Sequence, residues 1–118
     1  MEATAIEVTV AGRPVIVFVA YLSLSRPLIG ADLSSCFGWR LLVLMNGDLN
    51  AKHVDWNSRQ STRRGKLLRA YADDNSCLIF GPDFPTTNPY NPSVTPDVLD
   101  IVITKKLPIR CICLRALH

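Results

Sequence analysis

Leu41-Leu42-Val43-Leu44-Met45-Asn46-Gly47-Asp48-Leu49-Asn50 is the stretch that decides how the chain is read. The apolar run Leu41–Met45 reads as a buried strand, and it delivers an acid and an amide at its mouth. Along an extended chain, residues two apart point the same way. Asp48 and Asn50 are therefore expected to face one spot at a sheet edge. A carboxylate can hold a metal or position a water, and a neutral amide can bind a phosphate oxygen without repelling it. That pairing suits hydrolysis of a phosphate ester.

The strands before it fit the same sheet. Ile6, Val8 and Val10 alternate with Glu7 and Thr9, so one face of the first strand is apolar. Ala11-Gly12-Arg13-Pro14 supplies a hairpin turn, in which Gly12 takes positive φ cheaply. Val15 to Tyr21 then runs without a polar break and is expected to be covered on both faces. Asp32 to Phe37 suits a short helix ended by Gly38.

Beyond Asn50, a polar loop runs through Thr62. Gly65 to Asn75 reads as a helix with Leu68, Tyr71, Ala72 and Asn75 on one stripe and Leu67 at its margin. Cys77 to Phe80 suits a short buried strand. Prolines 82, 85, 89, 92 and 96 make the next segment an irregular loop. Val98-Leu99-Asp100-Ile101-Val102-Ile103 follows as a strand with one acid inside it. Leu99, Ile101 and Ile103 share one face, and Asp100 shares the other with Val98 and Val102. A carboxylate among such neighbours is costly unless paired or hydrogen-bonded. On the residues alone two readings stand level: a buried structural acid, or an acid that orients a catalytic histidine.

Composition sets the limits. The chain has 118 residues, enough for one domain, and its 48% apolar content supplies a core. The longest apolar stretch, Val15 to Leu22, is too short to cross a membrane. Met1-Glu2-Ala3-Thr4 lacks the basic start of a signal peptide, so a nuclear or cytoplasmic location is expected. A net charge of +3 permits contact with nucleic acid without demanding it. Cys36, Cys77, Cys111 and Cys113 show no Cys-x-x-Cys spacing, and buried reduced thiols are the expected state.

Several motifs now fall into an order. Gly47-Asp48-Leu49-Asn50 is followed by Ala51-Lys52-His53, Trp56-Asn57-Ser58-Arg59 and the Arg64-Gly65 helix start. Gly81-Pro82, Pro85-Thr86 and Pro96-Asp97-Val98-Leu99-Asp100-Ile101-Val102-Ile103-Thr104 come after. This order resembles the endonuclease domain of jockey-like non-LTR retrotransposons, in the endonuclease/exonuclease/phosphatase superfamily of apurinic endonucleases and DNase I. The resemblance runs from the first hairpin to about Pro108 and makes residues 1–118 one partial domain.

The resemblance implies an α/β chain, part of a four-layered α/β sandwich, and Mg²⁺-dependent cleavage of a DNA phosphodiester. It implies that Asp48 activates or orients the attacking water and that Asn50 contacts the scissile phosphate. Asp100 would hold a catalytic histidine in its working tautomer. Tyr21 stands where the family often has an active-site tyrosine, although Leu24 occupies a position where proline is common. Arg59 and Arg64 are candidates for phosphate contact, against a reading as solvated loop charges. Trp56 either packs its loop or wedges against a base, and Asn57 steadies that loop or meets the substrate. The family's metal-binding glutamate and its Ser-Asp-His motif have no match here, so no metal ligand is assigned. Poor activity is expected of the isolated chain. A reverse transcriptase domain is the expected partner in a full-length element. A non-catalytic nucleic-acid-binding remnant and a small-ester phosphatase are the alternatives.

Overall fold

The computed structural model describes residues 1–38, 42–86 and 97–105. Within them the elements run β1 (Glu2–Val10), β2 (Arg13–Tyr21), α1 (Gly30–Phe37), β3 (Leu42–Asp48), α2 (Arg63–Asp74), β4 (Cys77–Phe80) and β5 (Asp100–Lys105). A single turn of 3₁₀ helix, Val54–Trp56, interrupts the loop between β3 and α2. The expected elements are all present. Leu41, Cys111, Cys113 and the prolines at 89, 92 and 96 lie outside the described residues.

The strands form one mixed sheet in the order β1-β2-β3-β5-β4. Ala11 (φ 51°) and Gly12 (φ 77°) close the β1–β2 hairpin as a two-residue turn. Two successive positive-φ residues give the tight turn that matches the twist of paired strands. From β2 the chain crosses through α1 to β3, which lies parallel to β2. Parallel neighbours need such a crossover, and a helix is the usual form. β5 then joins the other side of β3 antiparallel, and β4 pairs with β5 at the margin.

The helices cover one face of this sheet. Ile16, Phe18 and Ala20 of β2, Val43 and Met45 of β3, and Ile101 and Ile103 of β5 are buried there. They form one cluster with Leu33, Cys36 and Phe37 of α1 and Leu68 and Ala72 of α2. The i, i+3, i+4 spacing of the α1 residues turns all three inward. Gly38 ends α1, its N–H donating to the Ser34 carbonyl at 2.8 Å. Thr62 starts α2 by accepting from the Gly65 N–H, which satisfies an otherwise unpaired donor. Cys36 and Cys77 are buried thiols, as their spacing led us to expect.

The opposite face departs from the sequence reading. Cross-strand partners share a face. Ile6 and Val8 of β1 therefore stand with Val17, Val19 and Tyr21 of β2, and Leu78 and Phe80 of β4 lie on the same side. Ile6, Val10, Val19 and Phe80 are each more than half exposed. β2 was expected to be covered on both faces; its helix-side residues are buried, while on the other side Val15 is buried but Val19 and Tyr21 are exposed. No helix or second sheet among the described residues packs against this side. An apolar run distinguishes a buried strand from an exposed one only when its cover belongs to the same segment of chain.

The helix stripe gives a direct check on the core. Leu68→Ala empties a fully buried position and should cost roughly 2–5 kcal/mol. Leu67→Ala, at a 52% exposed position, should cost no more than about 0.5 kcal/mol. Denaturant unfolding of the two variants reads the difference, and equal losses would contradict this placement of α2.

Candidate active site

The register of three strands places the central side chains. Asp48, last residue of β3, lies directly opposite Tyr21 of β2 on one side and Asp100 of β5 on the other. All three therefore stand in a row on the helix-free face, with neighbouring strands about 5 Å apart. Gly47 permits the alignment. A Cβ there would come within 1.8 Å of the Ala20 carbonyl oxygen, so a side chain would push β2 and β3 apart.

Asp48 is half-buried and its carboxyl titrates above the ordinary range. Burial raises it most, the Asn50 N–H donating to its carboxylate pulls it back, and the negative charge of Asp100 raises it further. Two carboxylates directly opposite across a sheet repel each other. Asp100 is exposed rather than buried. The structural reading of Asp100 as a buried acid tied to internal donors thus gives way, because β5 presents it on the uncovered face.

Asn50 joins the group by a different geometry from the one expected. Its φ of 50° is left-handed, so the chain is no longer extended and period-2 alternation stops at Asp48. Asparagine tolerates this conformation because its short polar side chain bonds locally. Its backbone N–H donates to Asp48 Oδ1 at 2.8 Å and its Nδ2 donates to the Leu22 carbonyl at 2.8 Å. An amide nitrogen carries two hydrogens. One is spent on Leu22, and the other has no partner among the described residues.

The other candidates separate into two groups. Arg64 directs its guanidinium at the carbonyls of Ser23 and Leu49 (both 3.1 Å), Leu24 (3.3 Å) and Arg26. It ties the loop after β2 to the loop after β3. Trp56 is 1% exposed and its indole N–H donates to the Ala51 carbonyl at 3.0 Å. That leaves no face for a base to stack on. Asn57, at φ 71°, donates to the Gly81 and Pro82 carbonyls and braces one loop on another. Arg59 and Tyr21 differ. Both are exposed, and the Arg59 guanidinium makes no hydrogen bond or ion pair to the described residues. His53 accepts from the Asp55 N–H and lies 4.9 Å, centroid to centroid, from the Trp56 indole ring, in the loop frame.

One residue escaped the sequence reading. Asp97, buried at 5% exposure, accepts at Oδ1 from the N–H groups of Arg59 (2.9 Å) and Val98 (2.8 Å). Its Oδ2 lies 3.2 Å from Lys52 Nζ. Burial pushes its carboxyl up, but these donors outweigh burial and hold it below the usual range. An acid beside a proline at the start of an apolar strand was the available signal. Thr86 adds to the junction, its hydroxyl accepting from the N–H groups of Leu99 (2.8 Å) and Asp100 (3.0 Å).

Asp48 and Asp100 are a fitting pair of oxygen donors for a hard cation. Among the described residues, however, no group of three or more His, Cys, Asp or Glu stands ready to hold a metal ion.

The chain is similar to known proteins. The model of a family described as endonuclease-reverse transcriptase aligns with residues 15–115. This chain belongs to that family. The RNA-directed DNA polymerase from mobile element jockey of Drosophila funebris is 31% identical over 118 residues, covering 96% of this chain and 12% of that protein. The Drosophila melanogaster protein of the same description is 34% identical over 93 residues, covering 76% of this chain and 10% of that protein. The chain thus spans a small part of these relatives. The solved endonuclease domain of TRAS1, a telomere-specific non-LTR retrotransposon, superimposes with a TM-score of 0.74. Identity is 16%, over 88% of this chain and 50% of that domain. The fold is therefore the DNase I-like α/β fold expected from the sequence, represented here by part of a retrotransposon-type endonuclease domain.

The Asp48 environment predicts a pH-dependent gain. A carboxyl raised in the folded state favours its protonated form there, so stability is fullest at low pH and falls as pH rises through the raised value. Asn at position 48 keeps an acceptor for the Asn50 N–H and carries no charge. Asp48→Asn should raise the melting temperature at neutral pH and change it little near about pH 3. Thermal melts across that range check this, and a less stable variant at neutral pH would contradict it.

Proposed function

We propose that this chain supplies part of the active site of a DNA-nicking endonuclease that hydrolyses a phosphodiester. The observation that carries the reading is the in-register row Tyr21–Asp48–Asp100 with Asn50 folded back against Asp48. A carboxylate whose affinity for protons is raised is suited to accept one from an attacking water. Asp48 has that property, and we assign it this role. The remaining Asn50 amide hydrogen would meet a non-bridging phosphate oxygen and steady the charge that builds there. Asp100 would orient an imidazole supplied from elsewhere in the polypeptide. Tyr21 and Arg59 would meet the substrate at the rim, while Arg64, Trp56 and Asn57 hold the loops that shape it.

The DNA substrate, the Mg²⁺ dependence and a reverse transcriptase partner extend this reading from the family. The curated relatives are named as RNA-directed DNA polymerases. A bound Mg²⁺ would offset phosphate charge and stabilise the leaving oxygen. Chromosomal DNA as substrate would place the protein in the nucleus. No described helix is long and apolar enough to cross a membrane.

A supercoiled-plasmid assay in Mg²⁺ tests the proposal. The chain is assayed alone and grafted into the matching segment of the Drosophila funebris jockey polymerase. The graft should convert plasmid to open circles, and Asp48→Asn should slow it by about a hundredfold or more. The chain alone should nick slowly or not at all, since no imidazole among the described residues stands against Asp100. An intact plasmid with the graft would overturn the reading. Hydrolysis of p-nitrophenyl phosphate without nicking would favour a small-ester phosphatase instead.

A further inference from the structure

Asp97 takes no part in the chemistry just assigned, yet its carboxylate joins two segments. Lys52 and Arg59 come from the loop between β3 and α2, and Val98 from the approach to β5. Alongside it, the Ser58 hydroxyl donates to the Val98 carbonyl at 3.0 Å, and the Thr86 N–H donates to the Asp97 carbonyl at 2.9 Å. Asp100 lies three residues further on. The backbone of Arg59 is therefore pinned to the strand that carries Asp100, while its guanidinium projects free of the described residues.

We propose that Asp97 is a positioning residue that fixes Arg59 relative to the Tyr21–Asp48–Asp100 row, so that its guanidinium meets a DNA backbone phosphate flanking the cleaved bond. The argument is geometric. A long, flexible arginine on an untethered loop would lose more freedom on binding than one whose backbone is already held. A carboxylate is the group for this post because it can accept from two backbone N–H groups and an ammonium together. An alanine would leave the Arg59 and Val98 N–H groups and the Lys52 charge without it. This inference rests on the nucleic-acid reading above, and its test separates the two.

Binding of a short fluorescein-labelled DNA duplex is followed by anisotropy in EDTA, at several salt concentrations and well below each variant's melting temperature. Arg59→Ala should weaken binding several-fold and reduce the salt slope by about one. Asp97→Ala should produce a similar loss, and adding Arg59→Ala to it should cost less than about twofold more. Asp97→Asn keeps Oδ1 for the two N–H groups and should retain most of the Arg59 contribution. Where Asp97→Ala does not fold, Asp97→Glu serves, because the longer side chain keeps the charge and displaces the loop. It should also silence Arg59. A loss of stability alone would leave the salt slope of the folded protein unchanged. A full Arg59 effect persisting in both Asp97→Ala and Asp97→Glu would overturn the positioning role and leave the DNA reading standing. Salt-dependent binding that is indifferent to Arg59→Ala would overturn the positioning role as well. Absence of duplex binding by the unaltered chain would overturn both.

Discussion

The close approach of β2 and β3 at Ala20 and Gly47 is the constraint on which the site depends. With no Cβ at residue 47, the two backbones meet and the parallel register carries on to Tyr21 and Asp48. β5 then adds on the other side in the register that sets Asp100 against Asp48. A slip of one residue in either pairing would turn a polar side chain into the helix-covered core. The buried residues Ile16, Phe18, Met45, Ile101 and Ile103 oppose such a slip, since each would have to leave its packed face. The hydrophobic core is thus what aligns the polar row on the other side of the sheet.

Two buried or half-buried charged side chains carry that alignment into the loops. Arg64 gathers four backbone carbonyls from the segments after β2 and β3, and Asp97 gathers an N–H group and an ammonium from the β3–α2 loop and the N–H of Val98 before β5. Loops contain many unpaired backbone groups, and a single forked or two-oxygen side chain can satisfy several at once. Asp48 stands in contrast. It faces a like charge and is held in a partly desolvated setting, an arrangement that costs stability. The helix-free sheet face adds to the contrast, with large apolar side chains of β1, β2 and β4 in the open. The superimposed TRAS1 domain is about twice the length of the part matched here.

Much of this was legible in the sequence. The apolar alternation, the Gly12 turn and the Gly38 helix end are local signals that match the structure, while α2 begins at Arg63, two residues before the Gly65 start read from the sequence, because Thr62 caps it. Gly47-Asp48-Leu49-Asn50 and the Asp100 strand were legible as a pair because both end or begin at the same sheet rim. What was not legible depended on long-range partners. The extended-chain argument for Asn50 failed because the strand ends at Asp48 and the chain turns left-handed. The exposure of Asp100 and of the β1 apolar face depends on what lies across the sheet, which no local pattern reports. Arg64 was a candidate for phosphate contact, and its four backbone carbonyls come from residues 15 to 41 positions away, which no local pattern reports. Asp97 was hidden because its donors come from residues 38 and 45 positions away.

The account stands or falls on Asp48 and Asp100 being neighbours across β3 and β5. Carboxyl ¹³C chemical shifts of Asp48, followed by NMR from acid to neutral pH, test it directly in the unaltered chain and in Asp100→Asn. The account expects Asp48 to titrate above an ordinary aspartate and to move down once the charge at residue 100 is gone. An Asp48 titration that is ordinary, or that ignores the loss of Asp100, would contradict it.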